Sequence, residues 1–441
     1  MATLLVPLTG RDAAGAKLIR DSEIENTIRL YGTPLFEAAG LRAADIRIFI
    51  IADESLNAFV AGGLNMFLHT GLLLEANSAS EIIGVIAHET GHIAGGHLTR
   101  VSKRISSTSR AALIATILGA LTTAATGSGE AGAAVMMGGQ GLAVGSLLAY
   151  SRTQESAADQ AGLRFLDLTG QSARGMLDFF KTLEDQELLP AHRQNPYVRT
   201  HPITRYRIED VESHIARSPH SDTPPDPRFE ELFRRMRAKL HGFLLPPERT
   251  LQTYPAADRS IAARYARAIA YYRSNDLDRA LPELDQLIAE EPKNPYFFEL
   301  KGQALLEAGR IKEALPPYRT AVRLDPDAAL IRIDLARTLL ARKNAAAVKE
   351  AIEHLLFATR EIPESATAWQ QLAIAYGRDR QYGMSALALA EMSLIRGRFK
   401  EALYQAGRAE AKLARGSTGW IRAQDVKAEA DRLLKEQRTR R

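Results

Sequence analysis

From about residue 261 to its end the chain matches itself at an offset of 34 residues. Asn275, Ala280, Leu281 and Pro282 fall on Gly309, Ala314, Leu315 and Pro316, and Glu291-Pro292 falls on Asp325-Pro326. A unit that short holds two antiparallel helices, too little to bury an apolar face alone, so such units fold only by stacking on one another. This part of the chain is therefore committed to an all-helical solenoid. Later units at 328–361, 366–395 and from 397 onward keep the small and apolar positions but drift in length. A stacked array presents a concave groove that suits an extended segment or a partner protein; the same surface also suits dimerisation or scaffolding.

A second feature constrains the first half. His88-Glu89-Thr90-Gly91-His92 follows the apolar run Ile82-Ile83-Gly84-Val85-Ile86-Ala87, which reads as a helix buried in a core. Four residues turn a helix by about 400°, so His88 and His92 project from one face and can grip one metal ion. Glu89, one position on, reaches a water on that ion rather than the ion itself. Zinc lowers the pKa of such a water to about 7, and a nearby carboxylate can take its proton as it attacks a peptide carbonyl. Gly91, Gly95 and Gly96 each cost about 1 kcal/mol of helix propensity relative to alanine, which points to close approach of another element or of the metal site.

A catalytic zinc needs a third protein ligand. Glu155 and Asp159 share a face of a second expected helix that begins near Ser151. Glu155 suits a His-His-Glu site, with Asp159 orienting a ligand imidazole through its free N–H. An ordinary solvated acidic face has the same spacing, and the residues alone leave both readings open.

Taken together, the His-Glu-x-x-His helix, the later Glu-x-x-x-Asp helix and the downstream Thr200-His201-Pro202-Ile203-Thr204 with Arg207-Ile208 resemble the gluzincin peptidases of family M48. Within that family the chain looks most like the soluble, periplasmic BepA-like (YfgC-like) branch, which carries C-terminal tetratricopeptide repeats (TPR), whose period is the 34 residues seen here. The resemblance implies that His88, His92 and Glu155 bind Zn2+ and that Glu89 is the general base. It also implies that His201 lies near the metal, either as a transition-state donor or as a resting-state ligand that must swing away, with Arg207 close by.

Upstream, residues 46–51 read as a buried strand, and residues 53–73 as two short strands joined at Gly62-Gly63. This hairpin is either a substrate-binding edge beside the zinc or a plain core hairpin. Residues 111–121 and 131–150 are two uncharged small-residue runs, the second interrupted by glycines, and spanning a bilayer takes about 20 predominantly apolar residues. They read as a helical hairpin packed on the catalytic domain or touching a membrane surface, and placed to gate the cleft.

Proline and polar residues at 218–227 mark a linker, and a helix-like piece from Phe229 to Leu240 bridges the halves. The expected organisation is a remnant of an export signal at 1–16, a metallopeptidase domain at 17–217, a linker and bridging helix at 218–260, and TPR repeats at 261–441. The export reading rests on the apolar Leu4-Leu5-Val6 and on Ala14-Gly15-Ala16 before Lys17. A basic start is missing, so either Met1 lies inside a longer signal or the chain starts in the cytoplasm with a floppy tail. The absence of cysteine excludes disulfides and thiolate metal sites without deciding the compartment. A net charge of +5, spread along the chain without aromatic interleaving, gives no nucleic-acid signature.

The fold class expected is α+β: a mostly helical zincin-type domain with a small sheet, followed by an all-α TPR solenoid. The function expected is zinc endopeptidase action on misfolded or stalled envelope proteins, held by the repeats. The alternative is a chaperone-like outer-membrane assembly factor with a latent peptidase, in contact with assembly machinery through the repeat groove.

Overall fold

The computed structural model describes residues 18–97, 152–184, 189, 194–342 and 344–439. The export-signal reading of 1–16 and the apolar hairpin of 111–150 lie outside them. The chain divides into two compact units, Leu4–Ala266 and Arg267–Arg441.

In the first unit a four-stranded sheet of order β1-β2-β4-β3 is built from β1 (Leu18–Ile19), β2 (Arg47–Ile51), β3 (Ala58–Ala61) and β4 (Asn65–His69). Strands β3 and β4 pair antiparallel as the hairpin expected from sequence, and Gly62 and Gly63 take the left-handed backbone the tight turn requires (φ +60° and +104°). Strands β2 and β4 pair parallel, with Phe49 opposite Phe67 and their rings stacked at 5.0 Å. The sheet places β3 at an edge, yet all four of its residues are buried.

Helix α1 (Ser22–Ala38) and the short α2 (Thr70–Glu75) flank the sheet, and α3 (Ala79–Ala94) runs through the core with nearly every residue buried. Such burial explains why α3 is apolar on all sides rather than striped. Its start is fixed by Ser78, whose hydroxyl accepts from the Glu81 N–H at 3.3 Å, while the Glu81 carboxylate accepts from the Asn77 N–H at 3.2 Å. Against α3 pack α4 (Arg152–Leu168) and α5 (Arg174–Leu183); α6 (Pro196–Thr200) and α7 (Arg205–Ile215) follow.

The segment read as a bridge contains helix α8 (Pro227–Leu244), which belongs to the first unit and packs on α1. A buried ion cluster joins the two helices. Arg235 Nε donates to Glu23 at 2.6 Å, Lys239 Nζ lies 2.7 Å from Asp21 and 3.2 Å from Glu23, and the Tyr265 hydroxyl donates to Glu23 at 2.8 Å.

After α8 come α9 (Pro247–Thr253) and α10 (Ile261–Arg273), and the second unit consists, among its described residues, of the end of α10 and successive helices that pack on one another, from α11 (Leu277–Glu290) and α12 (Pro295–Glu307) through α13 (Ile311–Leu324) to the last, Thr418–Thr439. Asn275 (φ +60°) and Gly309 (φ +76°) take the same left-handed turn between paired helices, one repeat length apart. Inside a repeat, Gly302 lets α12 and α13 meet, since a Cβ there would stand 2.7 Å from the Tyr318 ring. No described helix in either unit is long and apolar enough to cross a membrane.

Candidate metal centre

The one-turn spacing of α3 brings His88 Nε2 and His92 Nε2 to 3.1 Å of each other, both side chains fully buried. Helix α4 crosses them. Gly91 and Gly162 permit that crossing: a Cβ on Gly91 would stand 2.4 Å from the Ala158 carbonyl oxygen, and one on Gly162 would stand 3.0 Å from the Ala87 backbone. The close approach inferred from the glycine cost is thus met at Gly91 by α4. It sets Glu155 against both histidines, Oε2 at 3.4 Å from His88 Nε2 and Oε1 at 3.2 Å from His92 Nε2. His201, at the end of α6, adds Nδ1 at 3.3 Å from His88 Nε2 and 3.2 Å from Glu155 Oε1.

These four residues, two adjacent helices and a distant turn, form a buried set of donors that can hold a metal ion. Contacts of 3.1–3.4 Å link His88 to His92, Glu155 and His201 and link Glu155 to His92 and His201, and all four donors lie within 4.8 Å of one another, a spread of the size one small cation spans, since donors about 2.0 Å from a tetrahedral centre stand about 3.3 Å apart. The donor chemistry, three imidazoles and a carboxylate, suits a borderline divalent ion.

Supporting contacts orient the imidazoles. Asp159, one turn after Glu155, accepts from His88 Nδ1 at 2.7 Å, which fixes the tautomer that turns Nε2 into the cluster. Arg207 on α7 donates to Asp159 through Nε at 2.5 Å and Nη2 at 2.8 Å, places Nη1 2.8 Å from Glu155, and lies over the Phe180 ring at 4.8 Å. Its position is behind the donors. His92 is held by His97: the two Nδ1 atoms are 3.0 Å apart, so a proton on His92 Nδ1 donates to His97 and Nε2 faces the cluster. Gly95 makes room for this fold-back, since a Cβ there would lie 2.6 Å from His97 Nε2.

The charges sort accordingly. Burial opposes ionisation of Glu155 and Asp159, but the facing imidazoles and Arg207 outweigh it and hold both carboxylates well below their usual range. Burial likewise lowers His88, yet Asp159 and Glu155 hold it up at about 9. Glu89 differs. It is fully buried, neither carboxylate oxygen makes a hydrogen bond, and burial pushes its proton affinity up. His201 Nε2 stands 3.5 Å from Glu89 Oε1.

His88, Glu89, His92, Glu155, Asp159, His201 and Arg207, the residues expected at the site, are all buried and lie against one another. Sequence reasoning passed over His97 and Tyr197. The signal for His97 was a third histidine just beyond Gly95-Gly96; for Tyr197 it was only the one-turn spacing to His201.

Comparison with known proteins agrees with this geometry. Residues 23–215 match the model of Peptidase family M48, and residues 265–329 and 305–373 match two tetratricopeptide-repeat models. The chain carries an M48 peptidase domain followed by tetratricopeptide repeats. It is 25% identical over 413 residues to the β-barrel assembly-enhancing protease of Yersinia pestis, covering 92% of this chain and 82% of that protein. The metalloprotease YcaL of Escherichia coli is 28% identical over 207 residues, 46% of this chain and 76% of that protein. Among solved structures, a crystal structure of MamA covers 39% of this chain and 96% of its own at 16% identity, with a TM-score of 0.30. The M48 domain makes the chain a metalloprotease, with a buried histidine-carboxylate cluster able to hold its metal.

Proposed function

We propose that the chain is a zinc endopeptidase, with His88, His92 and Glu155 as protein ligands and Glu89 as general base. The observation that carries this reading is the buried cluster of two histidines and a glutamate in mutual contact at 3.1–3.4 Å, beside a buried carboxylate that makes no hydrogen bond. When bound, the ion supplies Lewis acidity, bringing the pKa of water near it to about 7 and polarising a carbonyl. Glu89 accepts the proton of the attacking water and returns it to the departing amine, a task suited to a carboxylate of raised proton affinity. Asp159 and His97 hold the two imidazoles in the ligating tautomer. Arg207 acts as a positioning residue, pinning Asp159 and neutralising the second carboxylate.

A second reading is favoured by His201. Its Nδ1 stands 3.3 Å from His88 Nε2 and 3.2 Å from Glu155 Oε1, near enough to act as a fourth donor in the position that a catalytic zinc leaves open for water. We read this as a resting state that His201 must leave before hydrolysis, so that the peptidase is latent until a partner or substrate displaces it. Outside the resting state the same imidazole is placed to donate to the reacting oxygen.

The substrates proposed are misfolded or stalled envelope proteins in the periplasm of a Gram-negative bacterium, held by the repeats, which also suit contact with outer-membrane assembly machinery. The likeness to the β-barrel assembly-enhancing protease of Yersinia pestis, 25% identical over most of the chain, supports this reading. Peripheral membrane contact through 111–150 belongs to the same proposal.

Hydrolysis of an unfolded polypeptide by the parent, Glu89→Gln and His201→Arg, with zinc measured in each, tests both readings. One zinc per chain and loss of cleavage in Glu89→Gln with zinc retained support the enzyme. A gain in His201→Arg supports latency. Where the parent or His201→Arg cleaves, undiminished cleavage when Glu89→Gln is added to that active form excludes the mechanism.

A further inference from the structure

Tyr197 has a hydroxyl that nothing in the mechanism above uses. Asn195 caps the short α6, accepting from the Tyr197 N–H at 3.0 Å, and the His201 N–H donates to the Tyr197 carbonyl at 2.7 Å. This turn lays the Tyr197 ring along the His201 imidazole, centroids 4.6 Å apart and planes at 27°, with Phe179 meeting it edge-on at 5.1 Å. A phenylalanine would fill that space and stack as well. Instead the site holds a phenol that is fully buried and whose hydroxyl has no hydrogen-bond partner, an arrangement that costs stability. Glu89, equally buried, makes no hydrogen bond either. A donor and an acceptor thus sit unused around one histidine, without bonding each other.

We propose that Tyr197 is a catalytic hydrogen-bond donor whose hydroxyl bonds the carbonyl oxygen of the scissile peptide as that oxygen gains negative charge. The inference rests on the zinc-peptidase reading and adds a residue to it. In the step, an O–H bond of water breaks and its proton passes to Glu89. The new C–O bond forms, and the carbonyl π pair moves onto oxygen. Tyr197 keeps its proton throughout, its O–H bond shortening the contact to the oxyanion. The C–N bond then breaks as Glu89 gives the proton to nitrogen.

Tyr197→Phe in the full chain removes the donor and keeps the stack. Zinc content, kcat and KM on a peptide substrate, and the inhibition constant of a phosphinic peptide, whose tetrahedral oxygens mimic the oxyanion, are measured beside Glu89→Gln. The expected result is unchanged zinc, KM within about twofold, kcat lower by about a hundredfold, and phosphinic peptide weakened by a similar factor. The phosphinic peptide reads the same contact in a resting enzyme. Values of kcat and inhibition within about twofold of the parent overturn the proposal. Loss of zinc, or a raised KM at unchanged kcat, assigns Tyr197 to the packing of His201 and overturns it as well. If Glu89→Gln leaves cleavage by an active parent, or by an active His201→Arg form, undiminished, or the parent binds no zinc, the peptidase reading itself fails and takes this inference with it.

Discussion

In the proposed site Asp159 and His97 do the same job for His88 and His92, but they stand in different surroundings. Asp159 takes the His88 N–H and both arms of a buried Arg207 fork, so removing its charge strands a guanidinium as well as freeing an imidazole. We expect Asp159→Asn to weaken zinc about tenfold to a hundredfold, and also to destabilise the zinc-free chain by roughly 3–5 kcal/mol. His97→Ala frees His92 in the same way without leaving a buried charge, so its expected effect is the same loss of zinc affinity with little change in the zinc-free chain. Chelator competition reads the first quantity and urea unfolding of the zinc-free proteins the second. Equal unfolding midpoints for the two variants would contradict the assignment. At this scale the sequence was legible where chemistry is local. The spacing of His88, Glu89 and His92 dictates their geometry, because a helix fixes it. Glu155 and Asp159 were ambiguous because an i,i+4 acidic pair looks alike in solvent and in a core, and their partner Arg207 lies 48 residues beyond Asp159. The one local mark of Tyr197 is its one-turn spacing to His201, and the Phe179 ring that meets it comes from α5.

Helix α3 shows how much of the site is a packing problem between elements. Gly91 is the point at which α4 comes close enough for Glu155 to meet both histidines. On an isolated helix, Gly91→Ala would gain about 1 kcal/mol. Here its Cβ would stand 2.4 Å from a backbone oxygen, so the helices must separate, and overpacking of that kind costs about 1–3 kcal/mol. The expected outcome is net destabilisation with zinc affinity lost in proportion, read by calorimetry and by metal content; a stabilised, fully loaded variant would show that α4 approaches elsewhere. The α1–α8 contact makes a second prediction. Burial raises the Glu23 proton affinity, but Lys239 and Arg235 outweigh it and hold the carboxyl below its ordinary 4.5. A depressed carboxyl stabilises the fold above its unfolded value and loses that contribution as pH falls from about 4.5 through the folded value. Glu23→Gln should therefore cost roughly 3 kcal/mol at neutral pH and progressively less below about 4.5, measured by denaturant titration across pH. The strands and α3 were readable as elements because their periodicity is strong. The α1–α8 contact was not: a helix between proline clusters looks like a bridge, and only tertiary partners such as Glu23 reveal that it is core.

At the scale of the whole chain, two kinds of order coexist. The repeats gain stability from neighbour to neighbour, and the 34-residue period announced them because each unit repeats the same local solution, the turn at Asn275 and Gly309 included. The peptidase unit has no such period. Its candidate metal donors are drawn from His88 to His201, across long stretches of sequence, so only a family resemblance joined them before the geometry did. This difference predicts how the molecule answers loss of metal. Every donor of the cluster lies in the first unit, and the described residues of the second supply none. An ion that binds only the folded state stabilises it by about 4 kcal/mol when its free concentration is a thousand times Kd. Chelation should therefore speed amide exchange in α3, α4 and α6, where the ligands and their supports reside, and leave exchange in α11, α12 and α13 unchanged. Hydrogen exchange read peptide by peptide by mass spectrometry, with and without a zinc chelator, separates the two. Equal acceleration in the repeat helices would mean that the ion stabilises more than the unit that holds it, and would place the metal, not the repeats alone, in control of how the second unit meets a partner.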